Sequence, residues 1–149
     1  MRVLAIDVGR RRVGFAISDP TRTLARPLTT ILLSPSDPTG GVDRVVHEVE
    51  RVAAELAADA DHIEAIVVGM PVRLDGSPSE QTARVAEFVA SLRTRTEIPV
   101  TTEDERLTSR EAESRLALTQ RDWRRRKGNL DAAAAAVFLQ DYLDRGRSA

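Results

Sequence analysis

Residues 63–70, IEAIVVGM, form a nearly unbroken apolar run. A strand with one wet face alternates apolar and polar residues; this one does not, and it reads as a strand buried on both faces. Such strands sit in parallel pairing inside a sheet covered by helices, because a parallel return needs a crossover connection. The flanking sequence supplies that cover. Val42, Val45, Val46, Val49, Val52, Ala53 and Leu56 recur at helical spacing, which predicts an amphipathic helix over about 41–58. Val85, Phe88, Val89 and Leu92 stripe a second helix, for which Ser77, Pro78 and Glu80 read as cap, first-turn proline and capping-box acid. IPVTTED, ending at Asp104, reads as a short fifth strand.

Ahead of the first helix the period is that of strands. Residues 2–8 and 13–18 predict a hairpin around the turn Gly9–Arg12, and LARPLTTILL predicts a third strand, placed at an edge by Pro27. Thr108 and Glu111 form a capping box for a helix reaching Leu118. TQRDWRRRKG is a basic loop, and Asn129 caps a last helix that is apolar at Ala133, Ala134, Val137, Phe138 and Leu143. The order β-β-β-α-β-α-β-α-α implies a single α/β domain over residues 1–149, a mixed sheet with helices on both faces.

Composition narrows the chemistry. The 149 residues include no cysteine and two histidines that are not at a metal-ligand spacing, so any metal would sit on carboxylate oxygens, as Mg²⁺ and Mn²⁺ do. No apolar run approaches the ~18 residues that span a bilayer, and no leader precedes the first strand, so a cytoplasmic protein without a membrane partner is expected. A net charge of −1 excludes a global basic field.

Three acidic positions are odd for their surroundings. Asp7 stands among the apolar residues of the first strand, where an unpaired carboxylate costs several kcal/mol, of order ~3 or more. Asp104 and Glu105 close the fifth strand. Asp131, in the first turn of the last helix, shares a face with Ala134, Ala135 and Phe138. Read singly, these acids end a strand, sit in a surface loop or complement a helix dipole. Read together, they gather at one edge of a parallel sheet and need a cation to relieve their repulsion. One or two Mg²⁺ or Mn²⁺ ions would meet that need. Alternation along the strand leaves open whether Asp104 or Glu105 takes part.

Four stretches, AIDVGRRRVGFAISDP, IVVGMPVRLDGSPSEQT, DERLTSREAESRL and KGNLDAAAAAVFLQDYL, occur in an order that resembles the YqgF (RuvX) family of the RNase H-like superfamily. The resemblance implies a three-layer fold around a five-stranded mixed sheet. It implies Asp7, Glu105 and Asp131 as catalytic metal-binding carboxylates, with Asp104 as the alternative to Glu105. Asp7 would bridge two ions, with Glu105 and Asp131 each holding one. The implied activity is metal-dependent cleavage of phosphodiester bonds, in 5′-end processing of precursor 16S rRNA or, as the alternative, in a resolvase-like reaction on branched DNA. RuvC-type resolvases carry an acid at the end of the fourth strand; VVGMP offers none, as in the YqgF pattern.

Two basic clusters flank these acids. Arg10, Arg11 and Arg12 follow Asp7; Arg121, Arg124, Arg125, Arg126 and Lys127 precede Asp131. Arginines of this kind grip phosphate without reading sequence, and Trp123 can stack on an unpaired base. Arg73, in RLDGS, is a further candidate at the cleft. Gly9 either lets a substrate approach or simply makes the turn. The expected partners are nucleic acid and ribosomal particles, with the chain a monomer or a weak homodimer. Two other readings compete with the nuclease. One is a weakly catalytic or non-catalytic nucleic-acid-binding factor in ribosome assembly or transcription. The other is an actin-like ATPase, which needs two such domains where this chain has room for one.

Overall fold

Arg2–Val8 form β1, which turns into β2 (Arg12–Ser18) and then β3 (Ala25–Leu32). In chain order α1 (Val42–Ala58), β4 (Ile63–Met70), α2 (Glu80–Arg95), β5 (Val100–Asp104) and α3 (Leu130–Ser148) follow. The structure is a computed structural model that describes residues 1–71, 77–104 and 130–148. The helix expected from Thr108 and Glu111, and the cap at Asn129, lie outside the described residues.

The strands lie in the order β3-β2-β1-β4-β5. β1 pairs antiparallel with β2 and β2 with β3, whereas β1–β4 and β4–β5 are parallel. The apolar run of β4 therefore lies between two parallel neighbours, as its composition demands. Pro27 does sit on an edge strand. Alternation sends Leu4, Ile6 and Val8 to one face, where they pack with Phe15, Ile66 and Val68 beneath the valine stripe of α1 and the Val85, Phe88, Val89 and Leu92 stripe of α2. Val3 and Ala5 go to the other face, with Ala16, Ala25 and Val67, beneath Ala135, Ala136, Phe138, Leu139 and Leu143 of α3. This is the three-layer, five-stranded mixed arrangement expected from the resemblance. No helix among the described residues is long and apolar enough to cross a membrane.

Two local expectations are corrected. The cap of α2 is Ser79, not Ser77: its hydroxyl accepts from the Thr82 N–H at 3.3 Å, and its own N–H donates to the Thr82 hydroxyl at 2.8 Å. The Thr82 hydroxyl also donates to the Pro71 carbonyl, tying the helix start to the exit of β4. In α3, Ala134 is exposed, whereas Ala132, Ala135 and Ala136 are buried. The phase of the helix is set by a polar residue. Gln140 is buried and accepts from the Ala25 N–H at 2.9 Å, while its amide donates to the Thr23 carbonyl at 2.9 Å and to Asp144 at 3.1 Å.

The β2–β3 turn is closed by Asp19, whose carboxylate accepts from the N–H groups of Thr23 (2.7 Å) and Leu24 (3.0 Å) and from the Thr21 hydroxyl. Burial raises its pKa, but these hydrogen bonds outweigh that and lower it from 3.8 to about 2. A carboxylate whose folded pKa is depressed stabilises the fold above its unfolded value and loses that contribution as pH falls through the folded one. Asp19→Asn should therefore be less stable than the wild type at neutral pH, with the gap closing as pH drops from about 4 to about 2. Urea unfolding at a series of pH values checks this; a gap independent of pH would remove the carboxylate from the account.

Candidate active site

Asp7 is the penultimate residue of β1, half-buried, and alternation puts it on the α3 face with Val3 and Ala5. Its partner on β2 is Gly14, which in turn pairs with Thr30 on β3. On the other side, the register that pairs Ile6 with Val68 brings Gly69 alongside, and Gly69 pairs with Glu103 of β5. One rung of the sheet thus reads Thr30, Gly14, Asp7, Gly69, Glu103. Both strands next to Asp7 contribute glycine at its level, so the floor beside the carboxylate is backbone. A hard oxygen donor on a rigid strand with such flanks suits a small divalent cation.

The fifth strand is phased by a contact with α3. Arg145 reaches Glu103 at 3.5 Å, which assigns Glu103 to the α3 face. Asp104 alternates with it and pairs with Met70, which packs on the α1/α2 core together with Val100. Asp104 therefore belongs to the face opposite Asp7, and Glu105 lies outside the described residues.

Position 131 lies in the first turn of α3; the residues four and seven further on, Ala135 and Phe138, are buried against the sheet. Gln140 bonds to Ala25, which pairs with Ser18, whose hydroxyl accepts from the Val3 N–H at 2.8 Å. Gln140 is therefore level with Val3.

Arg10, Arg11 and Arg12 are exposed in the turn that follows Asp7. Every backbone carbonyl from Val8 to Arg12 accepts a hydrogen bond. Gln81 of α2 donates to Val8 at 3.1 Å, and Arg84 of α2 donates to Gly9 and, at 3.4 Å, to Arg10. The Leu33 N–H donates to Arg11 at 2.7 Å and the Gly9 N–H to Arg12 at 2.8 Å. A Cβ on Gly9 would stand 2.9 Å from the Arg12 carbonyl oxygen, so the turn itself requires glycine there. Glu103, Gln81 and Arg84 were not singled out in the sequence. Gln81 and Arg84 target main-chain carbonyls, which leave no mark on side-chain patterning.

Arg73, Arg121, Trp123, Arg124, Arg125, Arg126 and Lys127 also lie outside the described residues. Among the described residues, no three His, Cys, Asp or Glu side chains gather closely enough to hold a metal. The exit of β4, Gly69-Met70, carries no acid, as its sequence reads. A cavity of about 520 Å³ opens on the α3 face beside Val3, Glu64, Glu103, Tyr142 and Arg145. Its two arginines are already paired, Arg22 with Glu64 at 2.6 Å and Arg145 with Glu103 and Asp141, which makes it a poor phosphate site.

Comparison with known proteins agrees with this architecture. A structure of Thermus thermophilus RuvC in complex with a Holliday junction substrate superposes with a TM-score of 0.60 at 21% identity, covering 98% of this chain and 96% of that one, which shows a shared fold. Proteins named "Putative pre-16S rRNA nuclease" from Roseiflexus sp. (strain RS-1) and Anaeromyxobacter sp. (strain K) are each 39% identical to it. The first match covers 98% of this chain and 96% of the relative, the second 97% and 98%. Residues 1–145 match the family described as RuvX, Holliday junction resolvase. With a β1 aspartate on the α3 face, an arginine turn directly after it and this match along almost its whole length, the chain belongs to the RuvX family of nucleases.

Proposed function

We propose that this nuclease is metal-dependent and processes the 5′ end of precursor 16S rRNA. The observation that carries the reading is the rung of Asp7, a carboxylate held on a rigid strand between two glycines, at the base of an immobilised arginine turn. Asp7, Glu105 and Asp131 would hold Mg²⁺ or Mn²⁺. The face taken by Asp104 favours Glu105 of that acidic pair. Such ions, when bound, acidify the attacking water and neutralise charge on the leaving oxygen. The chain's own groups do the rest. Asp7 fixes the place of the scissile phosphate, and Arg10, Arg11 and Arg12 hold the flanking phosphates. Arg73, Arg124, Arg125, Arg126 and Lys127 extend the grip, and Trp123 stacks on an unpaired base. The relatives' shared name favours rRNA; the family's description keeps branched DNA as the second reading. The protein would act in the cytoplasm as a monomer or weak homodimer, in contact with ribosomal particles.

Cleavage of a labelled precursor 16S rRNA fragment, set against a four-way DNA junction, with Mg²⁺ and with EDTA, tests this. The expected result is Mg²⁺-dependent cleavage of the RNA; cleavage of the junction alone would favour the second reading, and binding without cleavage of either would leave a binding factor. Mg²⁺ or Mn²⁺ at ten to a hundred times its Kd should also stabilise the wild type by roughly 1 to 3 kcal/mol. Glu105→Gln and Asp131→Asn should blunt that shift in a melting experiment, and Asp104→Asn should do so less. Equal or greater sensitivity at Asp104 would overturn the assignment between the two.

A further inference from the structure

We infer that Gln81 and Arg84 are positioning residues for substrate: from α2 they lock the β1–β2 turn so that Arg10, Arg11 and Arg12 meet phosphate as a fixed set. The inference rests on the reading of those three arginines as nucleic-acid contacts. A hairpin turn of this length needs only its own closing bonds, here Gly9 N–H to the Arg12 carbonyl. Yet the carbonyls of Val8, Gly9 and Arg10 are engaged by two side chains more than seventy residues away in sequence. Gln81 and Arg84 are themselves joined, the guanidinium Nε donating to the Gln81 carbonyl oxygen at 3.2 Å, so the two act as one bracket. Both are half-buried, while Arg10, Arg11 and Arg12 are exposed.

The division of labour follows from chemistry. Three successive arginines repel one another, and a mobile turn would splay them. Bonds to the carbonyls hold the inner, backbone side of the turn, while the side chains of Arg10, Arg11 and Arg12 are on the exposed side. Arg84 donates to carbonyl oxygens, the negative ends of the peptide dipoles, and so holds the backbone of the turn. The bracket also sits directly after Asp7, so a shift of the turn would move the phosphate grip relative to the carboxylate.

The two residues are separable by charge. Gln81 is neutral, so Gln81→Leu can change the salt dependence of binding only through the turn it holds or through Arg84, which it positions. The test measures binding of a fluorescent precursor 16S rRNA fragment across a salt series, with KM and kcat for its cleavage. It uses wild type, Gln81→Leu, Arg84→Met, Arg84→Lys and the triple variant Arg10→Ala/Arg11→Ala/Arg12→Ala. Gln81→Leu and Arg84→Met are also combined with the triple variant. The triple variant should flatten the slope of log K against log salt by up to about 2 units, at ~0.7 per lost contact on single strands. Gln81→Leu and Arg84→Met should each raise KM about three- to tenfold with kcat within about twofold, and each should flatten the slope partly. Arg84→Lys, which keeps a donor for the Gly9 carbonyl, should recover part of the loss. In the triple-variant background neither substitution should have a further effect on slope or KM.

Full additivity in that background would show Arg84 touching phosphate itself and overturn its positioning role. An unchanged KM and slope in Gln81→Leu would overturn the bracket while the arginine reading stands. An unchanged slope in the triple variant would overturn the arginine reading and this inference with it. Thermal melting checks that each variant is folded at the assay temperature; if Arg84→Met is not, Gln81→Leu carries the test alone.

Discussion

Asp7→Asn should abolish cleavage while leaving the protein folded. The substitution keeps the volume of the side chain on the β1 rung and removes one charge and part of the capacity to bridge cations. A loss of roughly a thousandfold or more in kcat/KM is expected, about 4 kcal/mol of transition-state stabilisation. Its effect on stability should run the other way. If Glu105 and Asp131 gather near Asp7, removing one charge relieves their repulsion, and melting without added metal should stay level or rise. The Mg²⁺-induced rise in melting temperature should shrink at the same time. Substantial unfolding of Asp7→Asn in the absence of metal would show that the carboxylate is structural and sink its assignment as a metal ligand. Gly14 and Gly69 flank it on the sheet, so the two neighbouring strands add no side chain at that level.

Gln140→Leu should be the most damaging substitution of a polar residue in the fold. Leucine has a similar volume, so the packing of α3 on Ala16 and Ala25 is nearly preserved, but three hydrogen bonds go. The Ala25 N–H is left in a position that is 5% exposed, and the Thr23 carbonyl loses its donor. Leaving a buried backbone group unpaired costs about 1–3 kcal/mol, so a total loss of about 2–4 kcal/mol is expected in urea unfolding. Gln140→Glu, at a pH where the acid is protonated, retains the acceptor for Ala25 and one donor in place of two, so it should lose less. A loss below about 0.5 kcal/mol for Gln140→Leu would mean that the apolar face alone seats α3. Because α3 also carries Asp131, cleavage by Gln140→Leu should fall even well below its melting temperature, though far less than for Asp7→Asn.

The layers and their order were legible in the chain because they follow from local periodicity. IEAIVVGM has no polar face to show to water, and the valine stripe of 42–56 has one apolar side; together they force a parallel, covered sheet. Asp7 within an apolar strand and three arginines directly after it were equally plain, since both are nearest-neighbour facts. The phase of elements whose own residues are ambiguous needed the tertiary structure. Five consecutive alanines, 132–136, have no periodicity, and which of them meet the sheet is decided by Gln140 bonding to Ala25 of β3, over a hundred residues away in sequence. Ser77 and Ser79 both have the chemistry of a cap; Thr82 selects Ser79 while holding the Pro71 carbonyl at the exit of β4. In β5, adjacent residues must face opposite sides, but only the Glu103–Arg145 contact and the pairing of Asp104 with Met70 say which side is which. Gln81 and Arg84 bond to main-chain carbonyls of a distant turn, and a carbonyl is the same at every residue, so no pattern of side chains announces that contact before the chain is folded.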